Sequence, residues 1–385
     1  MNLFEYYASK IFLSICGWIF SLVPVDKQKV VFASARDNKA SGNLLALSQA
    51  YKEAYPDAHY VMLFRTYSYG LVGKIGYLFS LITTTYHLKT ARYFFVDNAL
   101  FPVHVIKHRK ETLVIQVWHA TGILKRFGLD TDVDERKVEN RFLHKGYDYV
   151  IADSEPTRAA YASAFHIPTQ QVLCLGSART DALLEKDARA KARKLLEERF
   201  PALKHKIALL YAPTFRGYSD SKTAATTLNA LDLKNLLGEN FALVYKPHAV
   251  VTNDNVSAFD AVLDAKDDIN TYLPGFDGVI TDYSSVLFEA ALLNLPLYKL
   301  CGDYMDYCKQ TGFYLDYLRE VPGTNCTSTS ELGDAILAAG MPLMLTENEQ
   351  KAYEAFCSKY CTYNDGHATE RYLTRFPIEG LSREI

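Results

Sequence analysis

The sequence predicts an α/β protein made of two doubly wound parallel sheets. Short apolar, β-branched runs alternate with helical patterns, which is the signature of strands covered on both faces. The alternation stops at a charged stretch near residue 181 and then starts again. At 385 residues the chain also exceeds what one ordinary open sheet uses.

Residues 11–23 are apolar, with Trp18 and Phe20, but too few to span a bilayer as a helix. The preceding stretch carries Glu5 and one Lys, and lacks a convincing cleavage site for a signal peptide. Two readings of residues 1–25 stand. One is a first helix packed on the core. The other is a helix lying in a membrane interface, which Phe4, Tyr6, Tyr7, Trp18 and Phe20 favour. Residues 29–35 (KVVFASA) then read as a strand and 43–55 as a helix. Strands follow at 59–64, 93–97 (YFFVD), 112–118 (TLVIQVW), 147–153 and 172–175. A charged helix over 181–200 precedes the restart, with strands at 206–211, 242–245 and 278–281 and helices at 231–237 and 286–293. The predicted layout is an apolar segment 1–25, a domain 26–178 and a domain 179–385 whose last helix is a candidate to pack back on the first. This is a pair of Rossmann-like domains with an interdomain cleft, where ligands sit beyond the carboxyl ends of strands.

Hydrophobic residues at 49% and charged residues at 22% describe a folded chain. With 42 basic against 44 acidic residues there is no basic excess, so a nucleic-acid partner is not expected and phosphate chemistry must use a local basic pocket. Seven scattered cysteines form no CxxC pair, and their odd number argues against a disulfide framework; reduced thiols of a cytosolic protein are expected.

The residues that suggest chemistry fall just after strands. His119 follows TLVIQVW, beside Gly122 and Lys125. An imidazole there suits general base work, and capping the strand is the alternative. Thr214 and Arg216 follow the next domain's first strand, offering a hydroxyl and a guanidinium fork, with Gly217 allowing close backbone approach. Lys246 and His248 flank Pro247 after another strand, and together these groups point to an anionic ligand. In Thr281-Asp282-Tyr283-Ser284-Ser285 a strand ends at a helix start, where a serine cap and free N–H groups would favour phosphate. Glu289 reads either as a ribose ligand or as a solvated helix residue, and Asn364-Asp365-Gly366 as a turn and helix cap.

Taken in order, these segments resemble the CDP-glycerol glycerophosphotransferase family of teichoic acid synthesis, over about residues 29–371. The family's Trp-His-Gly-Thr-Pro-Leu-Lys segment resembles Trp118 to Lys125, and its Gly-x-x-Arg-x-Asp matches Gly176, Arg179 and Asp181. Its Ala-Pro-Thr-aromatic-Arg, Lys-x-His, Thr-Asp-Tyr-Ser-Ser and Tyr-Asn-Asp-Gly segments begin here at Ala212, Lys246, Thr281 and Tyr363. The resemblance implies the GT-B arrangement of two domains and a peripheral enzyme on the cytoplasmic face of the membrane. It implies His119 as catalytic base and His248 as a phosphate ligand at the catalytic centre. Lys125, Arg179, Thr214, Arg216, Lys246, Asp282, Tyr283, Ser284, Ser285, Glu289, Asn364 and Asp365 would contact substrate. The substrate would be CDP-glycerol or a related CDP-polyol, and the acceptor a lipid-linked saccharide such as an undecaprenyl-diphosphate disaccharide. CMP would leave, and neither metal nor cofactor is called for. The chain's modest length favours priming over polymerisation. Ala120 in place of the family's Gly, an extra residue and the missing Pro imply a differently shaped loop beside His119, which bears on the acceptor. The rivals are a ribitol-phosphate transferase, a nucleotide-sugar glycosyltransferase or epimerase of the same fold, and a silent membrane-bound scaffold.

Overall fold

A computed structural model describes residues 3–66, 70–131, 143–216, 228–248 and 256–384; Gly217 lies outside them. The chain forms two compact units. The first comprises Met1–Ala120, Phe127–Arg179 and His367–Ile385, and the second Thr121–Arg126 and Thr180–Gly366. The short segment just after His119 thus belongs to the second unit.

In the first unit, helices α1 (Leu3–Phe20), α2 (Gly42–Ala54), α3 (Leu71–Thr90), α4 (Phe101–Val105) and α5 (Arg158–Phe165) surround one sheet. Its strands are β1 (Asp26–Ser34), β2 (His59–Phe64), β3 (Ala91–Val96), β4 (Leu113–Gln116), β5 (Tyr149–Ala152) and β6 (Val172–Cys174). They run parallel in the order β2-β1-β3-β4-β5-β6. Phe32 of β1 stacks on Phe95 of β3 at 5.4 Å, both fully buried. Each such ring contributes roughly 1.5–3 kcal/mol on leaving water. The C-terminal helix, Ala368–Arg375, closes this core: the Tyr51 hydroxyl donates to the Phe376 carbonyl at 2.9 Å and that of Tyr93 to Pro377 at 2.7 Å. The strand order reverses between β1 and β3, and the carboxyl ends at such a reversal are where doubly wound sheets generally take ligands.

A 3₁₀ turn over Ala178–Leu184 carries the chain into the second unit at Thr180, and α6 (Ala188–Arg199) follows. The single helix expected over 181–200 is therefore two elements. Thr180 and Leu183 are both buried from the turn, a spacing of three that suits 3₁₀ winding, and the helix begins only after Asp187. The strands are β7 (Ile207–Ala212), β8 (Phe241–Tyr245), β9 (Ala261–Val262), β10 (Gly278–Thr281), β11 (Leu297–Leu300) and β12 (Thr324–Cys326). They too are all parallel, in the order β12-β11-β10-β7-β8-β9. Helices α7 (Ala230–Leu237), α8 (Val286–Leu292), α9 (Tyr304–Thr311), α10 (Tyr317–Glu320), α11 (Thr329–Ala338) and α12 (Glu347–Tyr360) complete it. Here the order reverses between β7 and β10.

Candidate functional site

In the first unit the site is built around His119, beyond the end of β4. Trp118 has a left-handed backbone (φ 54°), which costs a non-glycine residue about 1–2 kcal/mol. Packing holds it there: its ring stacks on Phe127 at 4.9 Å and meets the edge of Phe165 at 5.2 Å. Asn43 of α2 fixes the same turn, donating to the Val117 and Trp118 carbonyls at 3.1 Å each and accepting from the Arg179 N–H at 3.0 Å. Arg179 then donates to the His119 carbonyl at 3.2 Å.

His119 Nδ1 lies 2.9 Å from the Asp97 carbonyl oxygen. A carbonyl only accepts, so Nδ1 carries the proton and Nε2 keeps its lone pair. Burial, then the charges of Arg36 and Arg179, push the imidazole down to about 3, against the pull of that hydrogen bond. His119 is therefore neutral at pH 7, with a fixed tautomer. The capping alternative is realised through Nδ1, and Nε2 keeps its lone pair.

In the second unit the site lies where β7 and β10 end, and Asp282 organises it. One carboxylate oxygen accepts from the Thr214 N–H and hydroxyl, both at 2.7 Å, and from the Tyr283 N–H at 2.6 Å. The other pairs with Arg216 Nη1 at 2.8 Å. The Arg216 fork is also taken by Asp303, through Nε at 2.7 Å and Nη2 at 3.3 Å, and its plane lies over the Tyr307 and Tyr283 rings. Tyr283 donates to Asp303 at 2.9 Å and stacks on Tyr307 at 4.1 Å. Sequence reasoning gave the Arg216 fork to phosphate; in the structure it holds two carboxylates. Lys125 reaches this cluster, 3.3 Å from the Tyr307 hydroxyl, and burial brings its ammonium down to about 8.

Other expected residues are placed differently. Lys246 turns to the Ala265 and Pro247 carbonyls, at 2.8 and 3.2 Å, and burial lowers its pKa. His248 meets the Phe215 ring edge at 4.8 Å, which keeps it next to the Thr214–Arg216 turn. Ser284 and Ser285 are half-buried at the start of α8, but Ser285 makes no side-chain cap; Ser284 Oγ accepts weakly from the Val286 N–H at 3.4 Å. Glu289 is not solvated: it is fully buried and accepts from the Thr121 hydroxyl at 2.8 Å. Asn364 is buried and Asp365 exposed in the turn before the C-terminal helix, whose N-cap is His367.

The segment after His119 owes its path to that contact. Gly122 (φ +67°) sits where a Cβ would lie 2.4 Å from the Phe288 ring. Lys125 then pairs with Phe313 in an antiparallel bridge, and the Tyr314 N–H donates to the Leu124 carbonyl at 3.0 Å. The glycine that departs from the family order is thus what lets this loop dock on α8. Gly122→Ala is expected to cost roughly 2–4 kcal/mol, from a left-handed alanine plus overpacking, read as a lower urea midpoint for the second unit.

Sequence reasoning missed Asn43, Asp97, Asp303 and Tyr307. Asp97 and Asp303 each follow an apolar strand, the same signal that singled out His119. Asn43 and Tyr307 lie on helices, and no local pattern marks them.

The model of the family described as CDP-glycerol:poly(glycerophosphate) glycerophosphotransferase matches residues 17–376. A teichoic acid ribitol-phosphate primase of Bacillus spizizenii is 36% identical over 94% of both chains. A teichoic acid glycerol-phosphate primase of Bacillus subtilis is 29% identical over 76% of this chain and 75% of its own. Among solved structures, the wall teichoic acid polymerase TagF, a His-to-Asn variant soaked with CDPG, superposes with a TM-score of 0.77 at 19% identity over 98% of both chains. A UDP-GlcNAc 2-epimerase from Neisseria meningitidis gives 0.52 at 13% identity, over 90% of this chain and 99% of its own, so the two share fold alone. With the family model matched over residues 17–376 and a relative 36% identical over 94% of both chains, this chain belongs to the CDP-glycerol:poly(glycerophosphate) glycerophosphotransferase family of teichoic acid enzymes.

Proposed function

We propose that the chain transfers one polyol phosphate from a CDP-linked donor to a hydroxyl of a lipid-linked saccharide, releasing CMP. The single observation that carries this is the His119 tautomer: Nδ1–H is tied to the Asp97 carbonyl, and Nε2 is held neutral as a base. The acceptor hydroxyl gives its proton to Nε2 and its oxygen attacks the phosphorus nearer the polyol. The bond to the CMP phosphate breaks, and its electron pair leaves with CMP. Positioning and electrostatics are the protein's contribution to such a transfer. On this reading Lys125, His248 and the Ser284–Ser285 turn face the pyrophosphate, while Asp282 and Asp303 keep Arg216 and Thr214 in place beside it.

The polyol is glycerol on the family's description, yet a second reading has a specific observation behind it. The relative that matches over 94% of both chains is a ribitol-phosphate primase, whereas a ribitol-phosphate polymerase of the same organism is matched over only 58% of its length. Ribitol phosphate, added as a priming unit, is the reading we favour. CMP release measured with CDP-ribitol and CDP-glycerol tests it: faster turnover of CDP-ribitol supports ribitol, and turnover of CDP-glycerol alone overturns it.

The first unit supports work at a membrane surface. No helix among the described residues is long and apolar enough to cross a bilayer. Yet α1 packs on α3 and exposes Phe4, Ile11, Ile15 and Trp18, the last 72% accessible; α3 exposes Val72, Ile75, Leu78 and Phe79. Such a face suits an interfacial helix. Replacing Trp18 and Phe79 by serine is expected to weaken binding to anionic vesicles by roughly tenfold or more in cosedimentation, with affinity for the soluble CDP-polyol unaffected.

A further inference from the structure

Asp97 contributes more than the carbonyl used so far. It follows β3 at the first unit's strand-order reversal, opposite Ser34 at the end of β1. Its side chain is 4% exposed, and its Oδ1 has no hydrogen-bond partner among the described residues. The groups acting on its carboxylate are Ser34 from β1 and Arg36 and Asp37 from the following loop, while His119 from beyond β4 is bonded to the backbone carbonyl of the same residue at 2.9 Å. The Ser34 oxygen accepts from the Arg36 N–H at 3.0 Å, which leaves the hydroxyl proton for the Asp97 carboxylate. A buried, under-satisfied carboxylate is costly, and a catalytic role is one reason such a group is kept.

We propose that Asp97 is a positioning residue for His119, its carbonyl fixing the tautomer and its carboxylate stabilising the imidazolium that forms as His119 takes the acceptor proton. The inference rests on His119 being the base. Burial, then the charges of Arg36 and Arg179, keep His119 neutral beforehand, and the same influences oppose the imidazolium once the proton arrives. A negative charge on Asp97 offsets that opposition at the moment of transfer.

Burial raises the Asp97 carboxyl to about 6, with Ser34 and Arg36 pulling it down and Asp37 pushing it up. The carboxylate is thus charged at pH 7.5 and neutral at pH 5. Because the folded pKa lies above the unfolded one, ionisation from about pH 4 to 6 removes stability, so the charge is a cost to the fold.

The test is Asp97→Asn, which keeps shape and backbone and removes the charge. At pH 7.5 kcat/KM is expected to fall about 10–100-fold, with donor KM unchanged, and the deficit to shrink to about twofold at pH 5, where both side chains are neutral. The variant should melt no lower than wild type at pH 7. A deficit of the same size at both pH values, or no deficit at either, overturns the proposal. A second measurement does not depend on the donor. In ring-labelled protein, the His119 resonances should move through a step near pH 6 in wild type and not in Asp97→Asn. No step in wild type, or the same step in both, overturns the coupling, whereas a failure of the donor reading appears only as absent CMP release.

Discussion

Replacing His119 by alanine is expected to lower kcat by about 10²–10⁴-fold, the range of general base catalysis, while donor affinity stays within about twofold. The asymmetry comes from where the groups lie. Asp97 and Arg179 hold His119, Asn43 holds the turn before it, all within the first unit, and the side chains proposed to face the donor belong to the second. Steady-state kinetics, with calorimetric binding of the CDP-polyol, separates the two effects. A parallel loss of affinity and rate would instead make His119 a donor ligand.

Asp282→Ala is expected to do the reverse, damaging the donor cradle and the second unit's stability together. Asp282 takes three hydrogen bonds from Thr214 and Tyr283 and pairs with Arg216, and the Tyr317 hydroxyl also donates to its carbonyl. Truncation removes one of two carboxylates from a largely buried guanidinium and strands the Thr214 donors. Breaking a buried pair from one side costs about 3–5 kcal/mol. A fall in thermal midpoint should accompany at least a tenfold loss of donor affinity, by roughly the energy of one charge-assisted hydrogen bond. Asp303→Asn should be milder, because it keeps Asp282 in place and leaves the Tyr283 hydroxyl a partner.

How much of this is legible in the sequence depends on the physics behind each part. Strands buried on both faces write themselves as apolar runs, so KVVFASA, YFFVD and GVIT stand out, and the residues just past them are site candidates by topology. β11 is harder to read because Lys299 interrupts LYKL; its ammonium is buried and bonded to the Val321 carbonyl. The twenty-residue α3 hides for another reason: it exposes Val72, Ile75, Leu78 and Phe79, so it lacks the polar face that marks an amphipathic helix.

The site was half legible for a related reason. Residue type shows what a side chain can bind, but the partner that claims it is set by tertiary contact. Arg216 offers a fork that suits phosphate, and only the fold shows Asp282 and Asp303 holding it. Glu289 could serve a ribose, and only the fold brings Thr121 to it. His119 was readable because its environment follows from its place after a strand, whereas Asn43, which shapes that environment from a helix, was not.

In the proposed reaction the new bond is to the phosphorus nearer the polyol, and CMP is the leaving group. A single-turnover reaction with CDP-ribitol labelled at that phosphate, and a lipid-linked disaccharide acceptor in vesicles, tests it most directly. The label is expected to move to the lipid product and unlabelled CMP to appear in equal amount, with both events lost in His119→Ala. Label retained on a released nucleoside diphosphate, with the polyol carbon as the point of attack, would contradict it.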